Sequence, residues 1–530
     1  MNKMKKIMVL LMGVVLPSLL LAQNTNISNG SVFDGEPYLA INPNNPQHMV
    51  VAWMGFKMSN QIVIKTTASF NGGQTWSVAN FAPHTNPAYG SADPSLAFDA
   101  AGNVFLCYID YDDLIDSGSV YIRKSIDGGL NWGAPTEVIN AHSDAGKYPV
   151  DRPWISIDNS GGSYSGNIYI TTMPPRVFGY LPPPYHPYFI RSVDGGNSFE
   201  PWMFLDNTGW LAGNYIPQPM PTNTVTSNGI FHAAYPSWVT SQHVYPQYIL
   251  ASSSDGGNTL NYKSIINLSG NVAFNDSLAK KGYLLRSNPN NPDHLIFILL
   301  LNNYGDGDVF FMESFNSGNT WSGLTRVNDD PIGNNRMQDL IWADFDLDGD
   351  LIVTWRDRRN APDSTYTTSS EIWGAFRHKD SLNFAPNFLI SDTQASYDTI
   401  LASAGNDFMC VKFRHDTINS VWGDTRSGRL NIYFQRISFD GTTVSIQQIS
   451  SEIIPYLKVS PNPSSDFINV EAKGIKNISL FDSFGKVIFQ INNPITKDEM
   501  TLNIKEFPSG NYILRVLSEN GIQTRKIIKN

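Results

Sequence analysis

One short pattern recurs along the chain and constrains its fold more than any other feature. It reads Ser-x-Asp/Asn-x-Gly-x-x, usually followed by an aromatic residue. The copies are SFNGGQTW (Ser69 to Trp76), SIDGGLNW (Ser125 to Trp132), SVDGGNSF (Ser192 to Phe199), SSDGGNTL (Ser253 to Leu260) and SFNSGNTW (Ser314 to Trp321). They are spaced at roughly sixty residues, and a fixed interval of that kind marks a repeated supersecondary unit. Each copy suits a tight hairpin turn: the Asp or Asn caps its own backbone, Gly supplies positive φ, and the aromatic folds back onto a sheet. A strand precedes each turn, as in VYIRKS (Val120 to Ser125) and YFIRS (Tyr188 to Ser192). Upstream lies an apolar hairpin, such as Asp93 to Asp110 or Gln338 to Asp357. With the strand after the turn, each unit has four strands, the composition of a propeller blade.

Seven such units begin near Glu36, Asp93, Asp151, Pro219, Gly282, Met337 and Tyr397. The sixth has a degenerate turn around Asp380 to Phe384, and six blades is the alternative count. In the seventh, the stretch from Gly428 to Ser450 reads as an outer hairpin, which would close the chain near Ile449. The expected fold is therefore an all-β, seven-bladed propeller followed by a small antiparallel β-sandwich. The sandwich is read from alternating strands with Gly-Asn and Asn-Gly turns between Tyr456 and Asn530. Pro461 and Pro463 stand at its entrance.

The first residues read as an export signal. Lys3, Lys5 and Lys6 precede an apolar run from Ile7 to Leu21 that ends on the small residue Ala22. That run contains Pro17 and falls short of the roughly 20 residues needed to span a bilayer. The expected division is a signal peptide over 1–22, a propeller over 23–452 and a C-terminal domain over 456–530. A formal net charge of −10 with no run of Lys and Arg excludes a nucleic-acid footprint. Cys107 and Cys410 read as buried thiols, with one long-range bridge as the alternative. The nine histidines show no ligand spacing, so no zinc site is expected.

The C-terminal stretch resembles the type A sorting domain of the type IX secretion system of Bacteroidetes. The matching residues are Pro461-Asn462-Pro463, Phe481-Asp482 with Gly485-Lys486, Pro508 to Tyr512, and the terminal run Lys526 to Lys529. The resemblance implies engagement of that secretion machinery, transport across the outer membrane, and surface attachment or release. The repeat region, from about Glu36 to Ser450, resembles the BNR/Asp-box superfamily, which includes exo-α-sialidases and many proteins without enzymatic activity. In that family the Asp-box turns are structural and speak to fold alone.

A sialidase fixes its substrate carboxylate with three convergent arginines, and it uses a Tyr–Glu nucleophile pair with an Asp acid/base. In the family the first arginine lies in an Arg-Ile-Pro-like segment of the first blade. Here that place holds Glu36-Pro37-Tyr38, and the nearest match is Asp151-Arg152-Pro153 in the third unit. Acids open the first strand of several units, at Glu36, Asp93, Asp151, Asp339 and Asp398. If those strands line the channel, the acids form a ligand-binding ring at one mouth. A second set ends the following strand: Asp110, then Trp355 to Arg359, then Trp422 to Arg426. Catalytic candidates are therefore Asp151, Arg152, Asp357, Arg358, Asp424 and Arg426, with ion pairing between neighbouring blades as the structural alternative. DFDLDGD places Asp344, Asp346, Asp348 and Asp350 in a calcium-like spacing, but Trp355 stands where an EF-hand needs a bidentate Glu, so an ordinary hairpin and no cofactor are expected, with a weak calcium site as the alternative. The aromatic, Pro-rich stretch Tyr180 to Phe189 suits a recognition loop or a packing flap. The function expected is binding of a glycan or surface protein, with an exo-α-sialidase-type hydrolase as the alternative.

Overall fold

The computed structural model describes residues 24–57, 61–112, 117–175, 181–267, 282–396, 406–439, 457–482, 486–518 and 521–530. The signal segment, Asp398 and the expected closure near Ile449 lie outside them. Among the described residues there are seven four-stranded sheets and one five-stranded sheet, and no helix long and apolar enough to cross a membrane. The chain divides into two compact units, Met1–Val444 and Ser445–Asn530.

In the first unit the inner strands are Asp34–Asn42, Gly90–Phe98, Asp151–Ile157, Thr222–Val225, Tyr283–Asn288, Gln338–Phe345 and Cys410–Arg414. From each, the next strands step outward in antiparallel order. Inner strands of consecutive sheets touch, and those of the seventh and first sheets also touch, so the sheets form a closed ring around a central channel. This is an all-β propeller. Its second strands, such as Asn45–Phe56 and Asn291–Leu301, are buried on both faces because each sheet is sandwiched between its neighbours, and they read as near-continuous apolar runs.

The seventh sheet is completed in a way the repeat does not announce. Its third strand, Asn431–Ser438, pairs on its outer edge with Thr25–Asn26, Thr25 opposite Phe434 and Asn26 opposite Tyr433. The outer strand placed in the Gly428 to Ser450 hairpin is thus supplied, among the described residues, by the other end of the chain. The pairing fixes the ring by joining residues about four hundred positions apart, and it covers an edge that would otherwise expose unpaired backbone groups.

The recurrent turns behave alike in all five copies and join the third and fourth strands of a sheet. The opening Ser Oγ donates to the Asp or Asn side chain two residues on, at 2.7–3.0 Å. The same Oγ accepts the N–H of the residue four positions on, at 2.8–2.9 Å. The aromatic residue docks on the preceding sheet rather than on its own. Trp132 Nε1 donates to Thr66 Oγ1 at 2.9 Å, Trp321 Nε1 donates to Ser264 Oγ at 3.2 Å, and the Trp76 ring lies 5.1 Å from that of Phe434. Gly129 shows why glycine is required: its φ is +89°, and a Cβ there would come within 2.7 Å of Val50 in the sheet before. The turns therefore fasten sheet to sheet. Cys107 and Cys410 are free and fully buried, and burial pushes both thiols up, that of Cys410 to about 11.

The second unit is one continuous antiparallel sheet of Lys458–Ser460, Phe467–Phe481, Val487–Asn503, Gly510–Ser518 and Gly521–Lys529. Its central strand Phe467–Phe481 is irregular between Glu471 and Asn477, where its partner changes from the first of these strands to Gly510–Ser518. Strict alternation along Gly510–Ser518 buries Tyr512, Leu514 and Val516 against Ile468, Val470 and Ile478.

Candidate functional site: an acid cluster at one mouth of the channel

Four inner strands open with the same irregularity. The pairing skips between Gly35 and Tyr38, Ala92 and Ser95, Asp151 and Trp154, and Asp339 and Trp342. Each skip leaves one residue in the left-handed region: Glu36 (φ 56°), Asp93 (51°), Arg152 (47°) and Leu340 (51°). Pro37, Pro94 and Pro153 follow the first three. A non-glycine residue in this conformation costs on the order of 1–3 kcal/mol, and bulges of this kind re-aim side chains beside functional sites.

The bulge corrects the sequence register by one residue. The residue equivalent to Glu36 and Asp93 is Arg152 in the third sheet, not Asp151, and Leu340 in the sixth, not Asp339. Glu36, Asp93, Asp151 and Arg152 come together nonetheless. They are joined by Asp407, from the segment ahead of Cys410–Arg414, whose Oδ2 accepts from Arg152 Nη2 at 2.7 Å. Gln218 Nε2 donates to Asp151 Oδ2 at 3.1 Å, and Arg152 Nη1 lies 3.7 Å from Met220 Sδ. Tyr283 OH donates to Met220 O at 2.7 Å and completes the wall. The sequence reading places the acid of the seventh unit at Asp398, which lies outside the described residues; the signal for Asp407 is an acid directly ahead of the apolar run Phe408 to Val411.

Four carboxyls share one guanidinium here, so protons must be held. Burial raises the Glu36 carboxyl well above the usual range, and Asp93 and Asp407 push it the same way. Burial likewise raises Asp151, again with Asp93 as the main charged contributor. Burial opposes the charge on Arg152, but the surrounding carboxylates, Asp407 foremost, raise its pKa overall. Glu36 is 3% exposed, and its Oε2 has no hydrogen-bond partner among the described residues.

These shifts give a pH prediction. A carboxyl whose folded pKa lies above its unfolded value keeps in the native state a proton that the unfolded chain has lost. Stability therefore falls as pH rises from about 4.3 through the folded pKa of Glu36. Glu36→Gln is expected to stabilise the protein at pH 8 by about 1 kcal/mol or more, roughly 2 °C in Tm. The gain should vanish near pH 4. Thermal melts across that range test it, and a variant less stable than wild type at pH 8 would count against a proton-holding cluster.

The remaining candidates sit at the same end of the sheets, because the start of an inner strand and the end of its antiparallel partner share an end. They are committed to one another. Asp339 takes Arg356 in a two-pronged pair (Nε to Oδ1 2.7 Å, Nη2 to Oδ2 2.5 Å) and Arg358 Nη2 at 3.3 Å. Arg358 is 1% exposed and also donates to Tyr366 O at 3.2 Å. The Trp-x-Asp-x-Arg recurrence is a local clasp. Asp357 accepts from Trp355 Nε1 (2.6 Å) and Arg359 Nε (3.0 Å), and Asp424 accepts from Trp422 Nε1 (3.1 Å) and Arg426 Nε (2.9 Å). Arg359, not Arg358, is thus the counterpart of Arg426. Each arginine also reaches an acid on the connection from the preceding sheet: Arg359 pairs with Asp329 at 2.7 Å, and Arg426 pairs with Asp392. His84 Nδ1 and Ser91 Oγ bind Asp110 Oδ1 at 2.7 and 2.8 Å.

The four aspartates of the calcium-like run point to different partners. Asp344 pairs with Arg414, Asp346 accepts the N–H groups of His415 and Asp416, Asp348 pairs with Lys379, and Asp350 accepts the Lys379 N–H. Among the described residues no three His, Cys, Asp or Glu side chains are placed to hold a metal ion. Within the aromatic stretch, Tyr185 bridges to Gly213, which bridges in turn to Trp238, the residue after the strand Phe231–Ser237. Tyr215, with its ring 5.2 Å from that of Trp238, is 59% exposed beside them.

Comparison with known proteins adds the following. Residues 458–530 match the secretion system C-terminal sorting domain. No curated protein matches. Among solved structures, a protein of unknown function from Dyadobacter fermentans is similar at 13% identity and a TM-score of 0.42, over 79% of this chain and 98% of that one. A Hadza microbial sialidase is similar at 12% identity and 0.40, over 79% and 69%. An α-L-arabinofuranosidase of Fusarium graminearum is similar at 10% identity and 0.43, over 80% and 99%. The propeller assignment rests on the strand order of this chain itself. The chain is an exported all-β propeller protein that ends in a type IX secretion sorting domain, and it is delivered to the cell surface or the medium.

Proposed function

We propose that the exported propeller binds an uncharged, hydroxyl-rich glycan at the acid-lined mouth of its channel. The observation that carries this reading is the ratio of four carboxyls, Glu36, Asp93, Asp151 and Asp407, to one guanidinium, Arg152, which is already paired. Sugar hydroxyls donate to carboxylates and accept from protonated carboxyls, so a cluster of mixed protonation suits them. A carboxylated sugar would bring a fifth carboxyl to a cluster with one guanidinium. Arg358 and Arg426, which could have clamped it, are tied to Asp339, Asp424 and Asp392. The exo-α-sialidase alternative is correspondingly weakened.

One observation favours turnover of a neutral glycoside as a second reading. Burial raises the Glu36 and Asp151 carboxyls beside Asp407, which is ion-paired to Arg152, and a carboxyl raised toward protonation near an ionised one is the arrangement glycosidases use. A panel of neutral and sialylated polysaccharides, assayed for both retention and reducing-end release, separates these readings. Retention of neutral polymers with no sialoside release is the expected result. Release that Asp151→Asn abolishes would promote the hydrolase, and retention of sialylated polymers alone would overturn the proposal.

A further inference from the structure

The inner strands carry a second site at their far ends. Beyond the acid cluster the channel is crossed by aromatic rings: Tyr38 lies 5.8 Å from Trp154 and 5.5 Å from Trp342, and Trp154 lies 5.2 Å from Phe408. Past these rings the strand ends enclose a cavity of about 270 Å³. Its charged lining is Arg286, Lys412, Arg414 and Asp344.

The charges do not balance. Asp344 Oδ2 accepts from Arg414 Nη1 at 3.1 Å and from the Phe413 N–H at 3.0 Å, and its Oδ1 lies 3.5 Å from Lys412 Nζ. These partners, Lys412 foremost, hold its carboxyl below the usual range against the effect of burial. Arg286 is spread over the Trp342 ring at 5.2 Å and spends Nε and Nη1 on the carbonyls of Ala343 and Leu285. Its Nη2 makes no hydrogen bond among the described residues. Three cations thus face one carboxylate in a recess where the Lys412 and Arg414 side chains are only 18% and 24% exposed. Ser156 Oγ, also in the lining, is buried without a partner.

We infer that this recess binds a small organic oxyanion on a hydroxylated ring, an acidic saccharide unit bearing a carboxylate or sulfate. The guanidinium and ammonium groups meet the anion, while the polar lining residues Asn159, Thr224 and Ser287 meet the sugar hydroxyls. The two ends of one channel would then take ligands of opposite character. This site does not depend on the reading given for the acid cluster.

Calorimetric titration of the full chain at low salt with glucuronate, glucose 6-sulfate, glucose and inorganic sulfate tests the inference. Both acidic sugars should bind, more weakly as salt rises, and glucose should not. Lys412→Gln and Arg414→Gln should each lower affinity about tenfold, whereas Lys124→Gln, an exposed lysine of the second sheet, should leave it unchanged. In the wild-type protein, which needs no variant to fold, glucuronate should protect Lys412 from amine acylation read by mass spectrometry. Preference for the carboxylate or the sulfate identifies which anion the site is built for. Failure of both acidic sugars to bind, equal binding of glucose, binding of inorganic sulfate as tight as that of either sugar, or no protection of Lys412 would each overturn the assignment.

Discussion

Replacing Asp339 with alanine is expected to destabilise the propeller by about 3–5 kcal/mol, the cost of breaking a buried ion pair from one side. Asp339 is 1% exposed, and its partners Arg356 and Arg358 are 4% and 1% exposed. Removing the carboxylate leaves two buried guanidinium groups facing each other without compensation. The same pairing sets an acid limit. Burial alone would raise the Asp339 carboxyl, but Arg356 and Arg358 bring it well below the usual range. A depressed folded pKa contributes stability that is present above the unfolded value near 3.9 and lost as pH falls below it. Urea unfolding at pH 7 should show the full loss, and the difference between variant and wild type should shrink in acid. A loss under about 1 kcal/mol, the range of a surface ion pair, would mean that the cluster is solvated.

Truncation after Ser450 is expected to abolish surface delivery while leaving a folded propeller in the periplasm. The sorting domain covers 458–530 and carries its own core, in which Ile468, Val470, Ile478, Leu514, Val516 and Ile527 are all fully buried. The propeller ring, in turn, is closed among the described residues by Thr25–Asn26. Protease shaving of intact cells, with fractionation of the periplasm, reads both parts. Undiminished surface exposure of the truncated chain would contradict the sorting role, and aggregation of the retained chain would contradict an independently folded propeller.

What the sequence made legible was local. The five turns were readable because each closes its hydrogen bonds within a few residues, from Ser Oγ to Asp or Asn and back to a backbone N–H. The acids opening the first strands were readable too, but their register was not. Period-two alternation cannot register a bulge, so Asp151 and Asp339 were aligned with Glu36 and Asp93 when Arg152 and Leu340 hold that place. The proline after Glu36, Asp93 and Arg152 was the available clue, since it repeats at the bulge and not at the acid. The Trp-x-Asp-x-Arg clasp was visible as a motif, yet what its arginines grip depends on Asp329 and Asp392, which lie on connections from the neighbouring sheet. Thr25–Asn26 could not have been called a strand at all, because two residues carry no period.

The most direct test of the acid-cluster account is the affinity of the wild-type protein and of Asp151→Ala for the best-retained neutral polysaccharide. Asp151 accepts from Gln218 and lies beside Glu36 and Asp93, so its loss removes acceptors that the ligand would otherwise use. A drop of about tenfold, roughly 1.4 kcal/mol and the upper range for one hydrogen bond, with an unchanged fold is the predicted result. Equal affinity in the two proteins would place ligand binding elsewhere and contradict the account.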